Sequence, residues 1–276
     1  MARIAQKIVK SLAAGYDAIT PRHPGVVVLI YHRVGGRTSM AVDLPADLFR
    51  RQMAELSESG RVVSLSDALR RLEPSRGSEQ PAQTIESPIA ITFDDGTADI
   101  ADIAMPIMQE FGIPSTLYLA TRFVENGEDF PDNGKPLSWQ ALADCVSTGL
   151  MDVGSHTHSH ALLDRLANNE VARELDTSID LITSKLGKVP LDFAYPKALS
   201  PSPVADAAVR ERFRSASIAG TRPNRYGDAD PYLLYRSPIQ VNDDMRWFRK
   251  KCDGGMALED RLRVLVNRRR YAEAVQ

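Results

Sequence analysis

Three of the chain's five histidines lie within the segment GSHTHSH, residues 154–160. His156 and His160 are four residues apart, so a single helical turn would place them on the same side. His158 would share a side with either of them only if the segment were extended. Two imidazoles and one carboxylate are a usual shell for a catalytic zinc ion, with one position left for water. The spacing does not decide which pair would bind, and three unrelated loop histidines are the alternative interpretation.

Two adjacent carboxylates, Asp94 and Asp95, directly follow the apolar run PIAITF. Adjacent carboxylates repel each other, and at the end of a strand their side chains point in different directions. One of them could therefore hold a cation while the other faces a reactant. A helix N-cap or an Asx-turn is the common structural use of Asp at such a position. The histidine segment in the same chain favours the catalytic interpretation.

A regular alternation of predicted strands and helices must position these residues. Residues 25–31, GVVVLIY, form a compact β-branched run that predicts a buried strand. Further strands are predicted in PIAITF, STLYLA, LMDVGS, LDFAY and RSASIAG, with helical segments between them. Repeated β-α units of this length indicate a mainly parallel sheet, either doubly wound or closed as a barrel.

Cap residues mark the ends of several predicted helices. PADLFRRQMAELSESG carries one apolar stripe and is expected to end at Gly60. RVVSL is strand-like, and Ser66 is the expected cap of the short helix DALRRL. Ser138 is expected to cap the helix in SWQALADCVSTG, and Gly187 to end a long amphipathic helix.

Four polar clusters each follow a predicted strand. They are YHR (31–33), FDDG (93–96), SHTHSH (155–160) and YPK (195–197). The carboxyl ends of parallel strands share one rim, and active sites of α/β sheets and barrels are built at that rim. The sequence therefore predicts that the four clusters converge.

Three regions are predicted along the chain. Residues 1–24 form an N-terminal helical extension, because Ile4, Ile8 and Leu12 recur at helical spacing. Residues 25–245 form the catalytic domain, with a surface loop at 73–87. Residues 246–276 form a basic tail that packs on the domain or trails from it, and a solvated face explains its charge better than a polyanion contact.

Composition and charge exclude several classes of protein. The chain has 276 residues, 43% of them hydrophobic, which suits one large domain with a buried core. A formal net charge of -2 provides no field for nucleic acid. No stretch approaches the roughly 20 apolar residues of a membrane span, and no signal peptide is evident, so a cytoplasmic location is expected. Nothing in the sequence indicates the oligomeric state.

The combined motifs resemble the polysaccharide deacetylase family, the NodB-homology domains of carbohydrate esterase family four. TFDDG, at residues 92–96, and SHTHSH resemble the first two motifs of this family, and LIYHRV, GIPSTLYL, LSWQAL and FAYPK add to the likeness. The resemblance covers roughly residues 26–240. It implies a distorted (β/α) barrel of about seven parallel strands, and hydrolysis of an N-acetyl group on an amino sugar.

The resemblance also assigns roles to individual residues. Asp94 becomes the catalytic base, and Asp95, His156 and His160 become ligands of a divalent metal. Zn²⁺ is the expected ion, with Co²⁺ and Mn²⁺ as alternatives, and it would lower the pKa of bound water toward about 7. His158 then lies between the ligands without binding the ion.

Two departures from the family pattern change the candidate residues. No histidine follows His160, so the C-terminal Leu-x-His proton donor of many relatives is absent and His32 is the candidate general acid. The third motif, Arg-x-Pro-Tyr-Gly in many relatives, reads AYPKA at 194–198, and Arg236 is the candidate to contact Asp94 in place of the missing arginine.

Three further residues are candidates for contact with the substrate. Lys197 is expected to offer its backbone N–H to the oxyanion. Tyr195 and Trp139 are candidate sugar-facing aromatics, with a place in the core as the alternative for each. Together with Arg236, Tyr195 and Lys197 make up the predicted substrate-binding set.

The resemblance leaves three functional interpretations. The first is a metal-dependent deacetylase of an N-acetylated polysaccharide, oligosaccharide or precursor, such as a chitooligosaccharide. The second keeps the site but acts on O-acetyl esters, formamides or peptidoglycan. The third is a catalytically silent glycan-binding module, which the two departures from the pattern would explain.

Overall fold

The computed structural model describes Lys10, Gly15 and residues 23–73 and 86–258. The predicted N-terminal extension 1–24 lies largely outside the described residues, as do the surface loop at 73–87 and the tail beyond residue 258. The predicted region boundaries therefore stay predictions.

Seven strands run parallel and close into a barrel. The ten strands of the described chain are β1 (Gly25–Tyr31), β2 (Arg33–Val34), β3 (Asp43–Leu44), β4 (Ile89–Asp95), β5 (Ser115–Leu119), β6 (Met151–Ser155), β7 (Asp192–Ala194), β8 (Ser215–Ala219), β9 (Asn224–Arg225) and β10 (Leu234–Pro238). The order β1–β4–β5–β6–β7–β8–β10 is parallel throughout, and β10 pairs back to β1. The eighth strand of the sheet, β9, is antiparallel to β1, and β2 pairs with β3 separately. The predicted seven-stranded barrel is confirmed.

Helices pack around the barrel. They are α1 (Ala46–Ser59), α2 (Leu65–Leu72), α3 (Met105–Phe111), α4 (Thr121–Asn126), α5 (Trp139–Ser147), α6 (Asn168–Leu186), α7 (Pro203–Arg210) and α8 (Met245–Cys252). A π-helical turn, Ile100–Ala104, leads into α3, and 3₁₀ turns lie at Leu163–Arg165 and Pro196–Ala198. The predicted stops at Gly60 and Gly187 and the predicted cap Ser138 are confirmed.

Two local predictions after α1 are wrong. RVVSL does not form a strand, since only Val62 makes an isolated bridge, to Ile89. The cap of α2 is Ser64, not Ser66, because Ser64 is extended and its Oγ accepts the Asp67 N–H at 3.1 Å. Ser66 already lies within the first turn, where its Oγ accepts a hydrogen bond from Arg214.

The barrel interior and the outer layer have different contents. Large apolar side chains fill the space between the strands and the helices, in two main clusters. The interior holds smaller apolar groups, including Val26, Val28 and Ala90, and α2 packs against these residues. Toward the carboxyl ends of the strands the buried residues become polar, and they include Thr92, Asp94, Ser217 and Arg236.

The beginning of the predicted basic tail is folded onto the domain. In α8, Trp247 and Phe248 are buried. Lys251, on the same helix, donates to Asp243 at 2.7 Å, and Lys10 also forms an ion pair with this carboxylate. None of the helices in the described part of the chain has the length and the apolar composition that a membrane span requires.

Candidate metal centre

The four predicted polar clusters follow four strands of the barrel. Asp94 and Asp95 end β4, and His156 comes directly after β6. His32 follows β1, and Lys197 lies in the 3₁₀ turn after β7. Because the strands are parallel, their carboxyl ends lie at one rim, as the sequence predicts.

The backbone at Asp95 explains how adjacent carboxylates separate. Asp95 has a φ of 74°, in the left-handed region that residues other than glycine rarely adopt. Gly96 follows with a φ of 107°, and a Cβ there would lie 2.5 Å from Cδ1 of Leu119. The chain therefore turns sharply at the strand end, and glycine is the residue that fits at position 96.

Left-handed backbone is concentrated around the site. Seven described residues other than glycine have a positive φ, and four of them are Asp95, Thr157, His160 and Lys197. Such conformations cost free energy and persist where surrounding contacts enforce them, which is common at functional sites. The loop after β6 uses this geometry at Thr157 and His160 to turn the two outer histidines of the segment.

One carboxylate and two imidazoles form a compact cluster. Ligand atoms of Asp95, His156 and His160 all lie within 4.8 Å of one another. Oδ1 of Asp95 is 3.8 Å from Nε2 of His156 and 3.4 Å from Nε2 of His160. The remaining histidine of the segment, His158, does not belong to this cluster, and its Nδ1 instead lies 3.0 Å from Oγ1 of Thr121. The residues meet as the family resemblance implies.

The donor set fits a divalent cation such as Zn²⁺. Nδ1 of His156 lies 2.7 Å from the carbonyl oxygen of Ala194. If Nδ1 donates a hydrogen bond to this oxygen, Nε2 carries no proton, and its lone pair is available to a metal ion on the side of Asp95. Burial lowers the pKa of His156, and burial is also the main cause that lowers the pKa of His160, to about 4. Both rings are therefore neutral at pH 7, the form that binds metal.

Asp94 faces a different partner, Arg236 on β10. Nη1 and Nη2 of Arg236 donate to the two carboxylate oxygens of Asp94 at 2.6 and 2.9 Å, and both side chains are buried. Burial by itself would raise the pKa of Asp94, but the charge of Arg236 and its hydrogen bonds outweigh it and lower the pKa to about 2. Asp94 is therefore an oriented carboxylate at neutral pH, 3.9 Å from Nε2 of His156.

The predicted contact between Arg236 and Asp94 is thus present, but direct contact of Arg236 with a substrate is not available. Its side chain has 0% exposure, and both terminal nitrogens are already used.

His32 lies close enough to both carboxylates to affect them. Burial raises the pKa of Asp94 and of Asp95, and the electrostatic influence of the His32 ring is among the effects that oppose it at both carboxyls. Nδ1 of His32 is buried and has no hydrogen-bond partner among the described residues. A ring with one uncommitted nitrogen beside two carboxylates is suited to proton transfer.

The remaining predicted substrate residues occupy different environments. Lys197 is exposed, and its charge contributes to the lowered pKa of His160 after burial and His156. The Tyr195 side chain packs in the outer layer, 5.0 Å from the Phe193 ring and 3% exposed. Strand alternation directs it outward with Phe193, so the expectation of a sugar-facing ring is corrected to a core residue. Trp139 is half-buried, with Nε1 donating to Glu125 at 2.7 Å.

Comparisons with known proteins agree with this geometry. The polysaccharide deacetylase family model matches residues 82–215, which include Asp94, Asp95, His156 and His160. This match, just under half of the chain, shows that residues 82–215 are similar to the polysaccharide deacetylase family. The matched residues exclude His32 and Arg236, so the general acid candidate and the partner of Asp94 both come from outside the part that the family model covers.

Two curated relatives from staphylococci carry the same enzyme name. A poly-β-1,6-N-acetyl-D-glucosamine N-deacetylase of Staphylococcus epidermidis is 33% identical over 109 residues, 39% of this chain and 36% of the relative. An enzyme of the same name from Staphylococcus aureus is 30% identical over 117 residues, 40% of each chain. The match therefore spans well under half the length of these relatives.

Solved structures share the fold over most of the chain. The deacetylase PplD of Streptococcus pyogenes superposes with a TM-score of 0.71 at 19% identity, covering 83% of this chain and 99% of that one. IcaB of Ammonifex degensii gives a TM-score of 0.67 at 23% identity, covering 84% and 97%. Likeness at this identity shows the polysaccharide deacetylase fold.

Two residues that contact Arg236 were not identified by the sequence patterns. Oγ1 of Thr92 accepts from Nη1 of Arg236 at 3.1 Å, and the Tyr118 ring centroid lies 4.9 Å from Cζ of Arg236. Strand alternation within TFDDG could have placed Thr92 on the same face as Asp94. Tyr118 needed the register of β4 against β5, which the sequence alone does not provide.

Proposed function

We propose that this protein is a metal-dependent N-deacetylase of an amino-sugar polymer, with β-1,6-linked N-acetylglucosamine as the first candidate substrate. The observation that carries the proposal is the Asp95, His156 and His160 cluster with an oriented Asp94 carboxylate 3.9 Å from one of its imidazole nitrogens. A cation site and a separate base are the two parts that metal-assisted amide hydrolysis needs.

Asp95, His156 and His160 would hold the cation, and Zn²⁺ suits two nitrogen donors and one oxygen donor. The ion supplies Lewis-acid polarisation of the acetyl carbonyl and a lowered pKa for water. With three protein ligands, room remains for water and for substrate oxygen.

Asp94 would accept the proton as water adds to the acetyl carbon. Its two hydrogen bonds from Arg236 fix the carboxylate plane, so the base does not have to be oriented during the reaction. The Lys197 N–H would help to stabilise the negative oxygen that forms.

His32 would protonate the sugar nitrogen as the carbon–nitrogen bond breaks, because an amide nitrogen leaves poorly as an anion. Its uncommitted Nδ1 and its electrostatic influence on both carboxylates support this role. The products are acetate and a free amino sugar, so atoms and protons balance.

The substrate is proposed from the names of the relatives. Two staphylococcal relatives are named as poly-β-1,6-N-acetyl-D-glucosamine N-deacetylases, so the β-1,6 linkage has support that a chitooligosaccharide lacks. Esters, formamides and peptidoglycan fragments remain comparison substrates for the same site.

Acetate release tests the proposal directly. Protein loaded with Zn²⁺, Co²⁺ or Mn²⁺ should release acetate from a β-1,6-linked N-acetylglucosamine pentamer faster than from the β-1,4-linked pentamer. Asp94→Asn should lower the rate by about 10²- to 10⁴-fold, the usual contribution of general base catalysis. Asp152→Asn is the matched control, since Asp152 is an exposed carboxylate at the opposite end of β6.

Two results would contradict the proposed function. One is an absence of acetate release from every substrate at any metal loading, and glycan binding without turnover would then favour the silent binding module. The other is an Asp94→Asn protein as active as Asp152→Asn.

A further inference from the structure

Arg236 is the largest fully buried side chain among the described residues, and one of its nitrogens needs explanation. Nη1 and Nη2 donate to Asp94, and Nη1 also donates to Thr92. Nε is buried and has no hydrogen-bond partner among the described residues. A buried donor without a partner is costly, so another group must favour this placement of the guanidinium.

Tyr118 provides an aromatic face next to the Arg236 guanidinium. Its ring centroid lies 4.9 Å from Cζ of Arg236, within the range of a cation–π contact. The ring is fully buried, and its hydroxyl lies 3.3 Å from Oγ of Ser217 on β8. The negative face of the ring is therefore presented to a cation that water cannot reach.

The barrel register places Tyr118 between the two halves of the site. Tyr118 on β5 is directly opposite Asp94 on β4 and directly opposite Gly154 on β6. A Cβ at Gly154 would lie 2.7 Å from Cδ1 and 2.8 Å from Cε1 of the Tyr118 ring. The glycine that opens the histidine segment thus leaves the space which the ring occupies.

We propose that Tyr118 is a positioning residue: its ring fixes the plane of the Arg236 guanidinium, and the guanidinium in turn fixes the carboxylate of Asp94. A planar guanidinium gives two parallel hydrogen bonds only when its plane is held, and the Tyr118 ring, 4.9 Å from Cζ, is an aromatic group in contact with it. This inference rests on the proposed function for one step, the action of Asp94 on a substrate.

The proposal predicts that loss of the Tyr118 ring lowers kcat and leaves KM nearly unchanged. Tyr118→Leu removes the aromatic face and leaves the cation-site residues in place, so kcat should fall by about 10- to 100-fold, as misplacement of a catalytic group does, with KM within about twofold of wild type. Tyr118→Phe keeps the ring and should retain kcat within about threefold. Phe49→Leu, which also removes a fully buried ring, is the control and should leave kcat within about twofold.

A spectroscopic measurement on metal-free protein tests the contact without catalysis. The Nε–H proton of Arg236, identified by its loss in Arg236→Lys, should be shifted upfield by the ring current in wild type and in Tyr118→Phe. The shift should disappear in Tyr118→Leu and persist in Phe49→Leu.

The outcomes separate the two proposals. An Nε–H resonance at the ordinary arginine position in wild-type protein overturns the positioning role even if Tyr118→Leu does not fold. Equal kcat for Tyr118→Leu and Phe49→Leu also overturns it. If wild-type protein hydrolyses no acetylated glycan, the proposed function fails, and the upfield resonance still decides whether Tyr118 holds Arg236.

Discussion

Asp94 and Asp95 are neighbours in the chain but face different partners. The left-handed backbone at Asp95 turns its carboxylate toward the two imidazoles, whereas Asp94 stays in the barrel and pairs with Arg236. The division of labour between adjacent carboxylates was predictable from their position at a strand end. The family resemblance supplied the prediction that Asp95 binds the ion and that Asp94 is the base.

Arg236 shows where prediction at the scale of a residue reaches its limit. The sequence predicts that it could replace a missing arginine, because it follows a strand-like run. Its bidentate geometry depends on the closure of β10 onto β1, which lies about 200 residues earlier in the chain. Local patterns carry no information about such a distant pairing. Arg236 could therefore be predicted as the partner of Asp94, but its two parallel hydrogen bonds to the carboxylate could not.

Removal of Arg236 should destabilise the protein strongly. Arg236→Leu leaves the buried Asp94 carboxylate without its partner, and a loss of about 3–5 kcal/mol in the free energy of unfolding is expected at pH 7. Urea unfolding measures it. Arg249→Leu is the control, because that ion pair with Glu55 is on the surface and should shift the midpoint far less. Equal midpoints for the two variants would show that the buried pair does not hold the barrel together.

At the scale of elements, long segments with caps were predictable and short ones were not. The helix around residues 46–59 and its stop at Gly60 follow from an apolar stripe and a glycine. β2, β3 and β9 have two residues each, too few to show a period of two, and they form because tertiary contacts bring them together. The same limit explains why RVVSL was expected to be a strand.

The corrected cap of α2 can be tested. Ser64→Ala removes the acceptor for the Asp67 N–H and should lower the free energy of unfolding by about 1 kcal/mol. Ser184→Ala serves as the control, since this exposed serine in α6 only bonds back to Leu181 and should change stability by less than about 0.5 kcal/mol. Urea midpoints that fall equally in the two variants would argue against Ser64 as the cap.

At the scale of the whole molecule, a buried ion cluster joins distant parts of the chain. Asp243 accepts from Lys251 on α8 and from Lys10 near the start of the described chain. Burial raises the pKa of Asp243, but the charges of Lys251 and Lys10 outweigh it, and the pKa is lowered overall. Neither lysine could be assigned to this carboxylate from sequence patterns, since no periodicity connects them.

The sign of the pKa shift predicts how this cluster responds to acid. A carboxyl whose folded pKa is below its unfolded value of about 3.9 stabilises the fold above that pH and loses the contribution as pH falls further. Asp243→Asn should therefore cost about 3–5 kcal/mol at pH 7, and the difference from wild type should shrink below about pH 4. Unfolding by urea across that range measures it, with Asp152→Asn as the control. A difference independent of pH would contradict the ion cluster.

The metal centre is tested most directly by titration of metal-free protein with Co²⁺ and Zn²⁺, followed by visible absorbance and calorimetry. We predict one ion per chain, severe loss of binding in His160→Ala, and retention in His158→Ala, because His158 contacts Thr121 and lies outside the cluster. A wild-type protein that binds neither ion, or a His158→Ala protein that loses binding as fully as His160→Ala, would contradict the assignment of Asp95, His156 and His160 as the metal ligands.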